Sequence, residues 1–145
     1  MRLTTIRIET ILKEQIHKTA EQKNRTPSEI TRDLIDLGIG YQQESPIIIQ
    51  GAQGITRSFS KLSYGDEATR ISIYIDEEQI IDAAKCFNNS GTGAIREAIR
   101  LGFLMLNAEK VRFTNPHTEI HPFKEFTLQS FKNKKAQQAL ERLTG

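Results

Sequence analysis

The chain has 145 residues, 37% of them apolar and none of them Trp, and its net charge is +2, from 20 Lys+Arg against 18 Asp+Glu. That is one ordinary domain, or two very small ones with a thin or shared core, and it is too short for a (β/α)8 barrel enzyme. No run reaches the roughly 18 apolar residues of a membrane span. MRLTTIRIET carries no signal-peptide core, and the single Cys86 makes neither an internal disulfide nor a multi-cysteine metal site. The expectation is a cytoplasmic, reduced protein without a membrane partner.

Taken in chain order, Leu3–Ile8 alternates with period two, which predicts a strand with Thr4, Ile6 and Ile8 on one face and Leu3, Thr5 and Arg7 on the other. A helix follows, capped by Thr10, with Leu12, Ile16 and Ala20 at spacing four. It closes in the polar run Gln22–Thr26. Thr26-Pro-Ser-Glu29 then predicts a second helix: a Thr cap, Pro27 at the first helical position, and Glu29 placed to complete a capping box. Its apolar stripe is Ile30, Leu34, Leu37 and Tyr41.

Residues 42–69 read as a linker with Gly51, Gly54 and Gly65; within it Pro46-Ile-Ile-Ile49 is either a short strand or a packing patch. The same order then recurs. Arg70–Ile75 alternates, with Ile71, Ile73 and Ile75 on one face and Arg70, Ser72 and Tyr74 on the other. Asp76 caps a helix striped by Ile80, Ala84 and Phe87, and Asn88-Asn-Ser-Gly91 breaks it. Ser90 or Thr92 caps a further helix striped by Ile95, Ile99, Phe103 and Leu106.

The second helices match most closely: Arg32 with Arg96, Asp33 with Glu97, Ile35 with Ile99, and Leu37-Gly38 with Leu101-Gly102. The offset is 64 there and 67 at the strands, so the second unit is three residues shorter, near the start of its first helix. The chain thus divides into unit 1 (1–41), linker (42–69), unit 2 (70–107) and a tail (108–145). The tail holds 7 basic and 4 acidic groups, with a helix expected around Leu128–Leu143 that puts Leu128, Phe131, Leu140 and Leu143 on one side. Such a tail reads either as a phosphate-seeking segment or as a solvated surface helix.

A lone short strand leaves its backbone groups unpaired, so the two strands are expected to pair as an antiparallel ribbon over a four-helix core. A two-stranded ribbon fits the major groove of B-DNA, and helix N-termini beside it suit phosphate. At this point Thr5-Ile-Arg-Ile8, the turn Arg25-Thr-Pro-Ser28 and Glu29–Ile35 resemble a ribbon-helix-helix unit of the MetJ/Arc class. Ile71–Ile75 through Ala94–Ile99 resemble a second, and together the two cover about half of the chain. Tandem units on one chain resemble conjugative-plasmid accessory proteins of the TraY kind.

The resemblance implies a mostly α fold with a two-stranded antiparallel ribbon, a tandem pseudo-dimer with a C-terminal tail helix. It implies base contacts by Leu3, Thr5, Arg7, Arg70, Ser72 and Tyr74, and phosphate contacts by Thr26, Ser28, Ser90 and Thr92. Leu3 and Tyr74 depart from the family's polar and basic habit at their positions, so the site read would be asymmetric. Arg70 has rival roles, on phosphate or paired with Asp66 or Glu67. Arg32 and Arg96 are expected to form helix-surface ion pairs, with Asp36 and Glu97.

His117-Thr-Glu-Ile-His121 is not the His-Glu-x-x-His helix motif, and Pro116 and Pro122 flank it, so no metal is expected. His17 is read as exposed and Cys86 as a buried small hydrophobe. No phosphate-cradling Gly loop follows a strand, and no nucleophile or paired-carboxylate constellation stands out; neither enzyme activity nor a cofactor is expected. The function expected is sequence-specific binding of double-stranded DNA, as a conjugation (relaxosome) accessory factor or transcriptional repressor, with self-association on adjacent sites. The rival is an antitoxin-like module whose linker or tail binds a partner protein.

Overall fold

The computed structural model describes residues 1–44, 47–51, 56–58, 68–106, 108–113, 121–122 and 132–145. In chain order these form β1 (Arg2–Glu9), α1 (Thr10–Lys23), α2 (Pro27–Glu44), β2 (Ile47–Gly51), β3 (Thr56–Ser58), β4 (Ala68–Ile75), α3 (Glu77–Phe87), α4 (Gly91–Leu106), β5 (Ala108–Phe113), β6 (His121–Pro122) and α5 (Lys134–Thr144). The described residues are mostly helical, with a two-stranded antiparallel sheet of β1 and β4. A second sheet, of order β3-β2-β5-β6, lies beside α4.

The alternation of the two strands sets their pairing. Ile6 lies opposite Ile71 and Thr4 opposite Ile73, and Ile6, Ile8, Ile71, Ile73 and Ile75 are all buried on the underside of the ribbon. A slip of one residue would turn this whole set to water, so the register is firmly held. The core below gathers Leu12, Ile16 and Ala20 from α1, Ile30, Leu34, Leu37 and Tyr41 from α2, and Ile95 and Ile99 from α4.

Helices α2 and α4 cross at unusually close range. A Cβ on Gly38 would stand 2.1 Å from the Ala98 carbonyl oxygen, and one on Gly102 would stand 2.1 Å from that of Leu34. The two contacts are reciprocal, each glycine meeting the carbonyl four residues before the other. This close approach is the physical reason for the Leu-Gly match between the helices. The first helices both end on a left-handed Asn, Asn24 at φ 53° and Asn88 at φ 50°. α1 has 14 residues and α3 has 11, which places the three-residue difference inside the first helix.

Four details depart from expectation. Glu9, not Thr10, takes the cap position of α1 and is itself buried. In α3 the buried positions are Gln79 and Ala83, while Ile80, Ala84 and Phe87 pack from the side, half exposed. The stripe is rotated by one residue because Gln79 reaches inward to α2, donating to the Arg32 carbonyl at 3.1 Å and to Asp36 Oδ1 at 2.8 Å.

The strand alternative for 46–49 holds, since β2 begins at Ile47; the third departure is that β2 pairs with β5 from the tail, making a second sheet of linker and tail segments. The fourth is the tail helix, which starts only at Lys134 and buries Ala136, Ala139, Leu140 and Leu143 against the body, mainly on α2. Leu128 and Phe131 lie outside the described residues. No helix among the described residues is long and apolar enough to cross a membrane.

Candidate nucleic-acid interface

Pairing of β1 with β4 brings all six outward strand positions onto one exposed face. They form three rungs: Leu3 opposite Tyr74, Thr5 opposite Ser72, and Arg7 opposite Arg70. The central rung is closed by a hydroxyl–hydroxyl hydrogen bond of 2.9 Å between Thr5 and Ser72. Leu3 and Tyr74 are 57% and 52% exposed, large apolar surfaces presented to water on a face that otherwise carries hydroxyls and charge. Arg7 and Arg70 stand directly across from each other, an arrangement that costs stability through like-charge repulsion. Neither guanidinium has a carboxylate partner among the described residues. Asp66 and Glu67, the rival partners of Arg70, lie outside them.

Two arginines from the helices brace the ribbon. Arg32 Nη1 donates to the Tyr74 carbonyl at 2.8 Å, and Arg96 Nε donates to the Arg7 carbonyl at 2.7 Å. The expected ion pairs of Arg32 with Asp36 and Arg96 with Glu97 are therefore corrected. Asp36 accepts from Gln79 instead, and Glu97 pairs with Arg100 at 2.7 Å. The equivalence of Arg32 and Arg96 was legible in the repeat; their partners, 42 and 89 residues away, were not. Lys13 is a further cation that the pattern did not single out: its Nζ donates to the Arg70 carbonyl at 3.0 Å.

These bonds also locate the helix starts. The first turn of α2 flanks the Leu3/Tyr74 rung, where Ser28 Oγ accepts from the Tyr74 N–H at 3.1 Å. The first turn of α4 flanks the Arg7/Arg70 rung. Comparison with known proteins finds no matching family model, no similar curated protein and no similar solved structure.

The two helix starts differ in chemistry. At α2, Thr26 and Glu29 form the expected capping box: the Glu29 N–H donates to Thr26 Oγ1 at 3.2 Å, and Glu29 Oε1 accepts from the Thr26 N–H at 3.3 Å. The Thr26 backbone N–H, then its hydroxyl and Arg25, hold the exposed Glu29 carboxyl below its ordinary value, so it is a fixed negative charge at this helix start. Ser28 is half-buried and already bonded. At α4 the first turn carries no acid, and Ser90 and Thr92 are exposed. Two of the four hydroxyls expected to meet phosphate are thus committed to the fold, and two face water.

Below this surface two charged clusters stitch the elements. Glu9, 4% exposed, accepts from Arg100 Nε at 2.7 Å. Burial alone would make the Arg100 proton easier to lose, but Glu9 and then Glu97 hold it on more firmly than usual. Asp33 accepts from Arg142 of α5 at 2.8 Å, and Arg25 Nη2 lies 2.7 Å away as a charge contact off the hydrogen-bond line. A cavity of about 330 Å³ opens beside Arg25, Asp33 and Arg142, its cations and carboxylates largely satisfying one another. Among the described residues no group of three His, Cys, Asp or Glu is placed to hold a metal ion. His117 lies outside them.

Proposed function

We propose that the chain is a tandem ribbon-helix-helix protein, two units folded as a pseudo-dimer, that binds specific double-stranded DNA through the β1–β4 ribbon. It acts as a conjugation accessory factor or a transcriptional regulator. The observation that carries this reading is the register of β1 against β4, which gathers the six outward residues of both units on one exposed face over a shared helical core. A ribbon of this width enters the major groove, where Arg reaches guanine O6 and N7 and hydroxyls reach either base. The exposed start of α4 beside it offers free amides and a positive dipole end to a phosphate.

Arg7 and Arg70, which have no carboxylate partner among the described residues, support the same reading: their repulsion is relieved when both meet an anionic or acceptor-rich surface. The near-neutral charge of the chain as a whole is compatible with this, because Arg7, Arg70, Lys13, Arg32 and Arg96 stand on or beside the ribbon whatever the balance elsewhere. The test is capture of fragmented genomic and plasmid DNA on the immobilised chain, followed by binding of an enriched duplex over a salt series. Specific enrichment is expected, with log K falling linearly against log salt by about 0.9 per phosphate contact. Equal affinity for enriched and scrambled duplex would refute it.

A further inference from the structure

We infer that the ribbon is polarised: one end reads guanine and the other reads thymine methyl groups, about four base pairs apart. The inference rests on the reading of the ribbon as a DNA interface and adds to it a direction. Two identical strands paired antiparallel present the same residues at both ends, because the first outward position of each strand meets the third of its partner. Here the two strands differ, and the register sorts their side chains by chemistry. Arg7 meets Arg70 at one end, and Leu3 meets Tyr74 at the other.

The surroundings reinforce the sorting. Around the Arg7/Arg70 rung, Lys13 and Arg96 are held by their bonds to the Arg70 and Arg7 carbonyls, and the neighbouring turn of α4 carries no acid. Around the Leu3/Tyr74 rung, Arg32 is held on the Tyr74 carbonyl as Arg96 is on that of Arg7, but no counterpart of Lys13 bonds this rung among the described residues and the neighbouring turn of α2 carries the Glu29 carboxylate in its capping box. A phosphate is therefore favoured more at the Arg7/Arg70 end than at the Leu3/Tyr74 end. The apolar rung, with its large exposed side chains, is suited to the C5-methyl of thymine, the apolar feature of the major groove. Leu3 and Arg7 are four residues apart, about 14 Å along a strand. At 3.4 Å per step of the duplex that distance covers about four base pairs.

The test is selection from a randomised duplex pool with the full chain, then binding of the selected duplex carrying 7-deazaguanine at one end of the motif or uracil for thymine at the other. The first analogue removes the N7 acceptor that an arginine takes; the second removes the methyl group. Wild type should lose about tenfold in affinity to each. The Arg7→Ala/Arg70→Ala variant should become indifferent to 7-deazaguanine yet still sense uracil, and Leu3→Ala/Tyr74→Ala should do the converse. All four side chains are exposed, and thermal unfolding of each variant checks that the fold is kept. A motif whose dyad falls inside these four base pairs would overturn the polarity while leaving DNA binding intact, as would both variants relaxing the same positions. Selection that enriches no sequence at all would overturn the DNA reading and the polarity with it.

Discussion

Replacing Gly38 by Ala should destabilise the protein, although Ala is the better helix former. In an exposed helix interior the change would gain about 1 kcal/mol. At Gly38 the new methyl would stand 2.1 Å from the Ala98 carbonyl oxygen, against the 3.4 Å at which ordinary contact begins. The obstacle is backbone, so no rotamer change removes it, and α2 must move off α4 by about 1 Å. A gap of that size forfeits a quarter to a half of each dispersion contact along the crossing, where Leu34, Leu37, Ile95 and Leu101 are buried. Overpacking costs about 1–3 kcal/mol and sometimes more.

Against the propensity gain, a net loss of about 1–2 kcal/mol remains, a drop of about 2–8 °C in melting temperature for a chain of this size. Gly102→Ala should cost as much, since its methyl meets the Leu34 carbonyl at the same 2.1 Å. The double variant should fall short of the sum, because helices already parted admit the second methyl cheaply. Gly93→Ala is the control: the nearest atoms to its methyl belong to the exposed Asn89 side chain rather than to backbone, and that side chain can turn aside for the loss of its bond to the Ser90 N–H. Urea unfolding followed by circular dichroism measures all four. A midpoint for Gly38→Ala equal to or above wild type would refute the close crossing of α2 and α4.

Arg100→Ala should cost about 3 kcal/mol, because it leaves the carboxylate of Glu9 buried without its partner; a urea midpoint within error of wild type would contradict that pairing. Asp36 sits under Gln79, and its burial raises its carboxyl above the ordinary value against the pull of the Gln79 hydrogen bond, so its charge opposes folding. Its contribution to stability is full below the unfolded carboxyl's titration and is lost as pH rises through the folded one. Asp36→Asn keeps an acceptor for Gln79 and should raise the urea midpoint at pH 7, the gain closing in acid; a gain that instead grew in acid would contradict the sign. Cys86 packs half-buried with its S–H toward the Ile39 carbonyl, and burial, then Asp82, pushes its thiol up to about 11. Alkylation by iodoacetamide at pH 8 should be at least about tenfold slower in the folded chain than in urea, and equal rates would place the thiol elsewhere.

Alternation was the most informative signal in the chain. Ile6 and Ile8 against Ile71, Ile73 and Ile75 define which faces of the two strands are buried, and from this follows their pairing over the helices. Thr26-Pro-Ser-Glu29 spelled out the capping box because capping is a local matter of four residues. What escaped were contacts between residues distant along the chain. Arg32 and Arg96 were visible as a matched pair, but a guanidinium on a helix surface has many local carboxylates to choose from, and only the folded chain puts a strand carbonyl nearer. Glu9 continues the outward parity of Leu3, Thr5 and Arg7, yet it is drawn inside by Arg100 from the middle of α4. The second sheet was hidden because β2 and β5 are short and pair across more than fifty intervening residues, each with little pattern of its own.

The central claim is that the β1–β4 face is the surface that meets duplex DNA. Titrating the selected duplex into isotope-labelled protein and following the backbone amide resonances tests it most directly. Shifts should concentrate at residues 2–9 and 68–75 and in the first turn of α4, with α5 little affected. Saturating DNA that instead moved resonances of α5 or of the β3-β2-β5-β6 sheet, and left the ribbon unchanged, would contradict it.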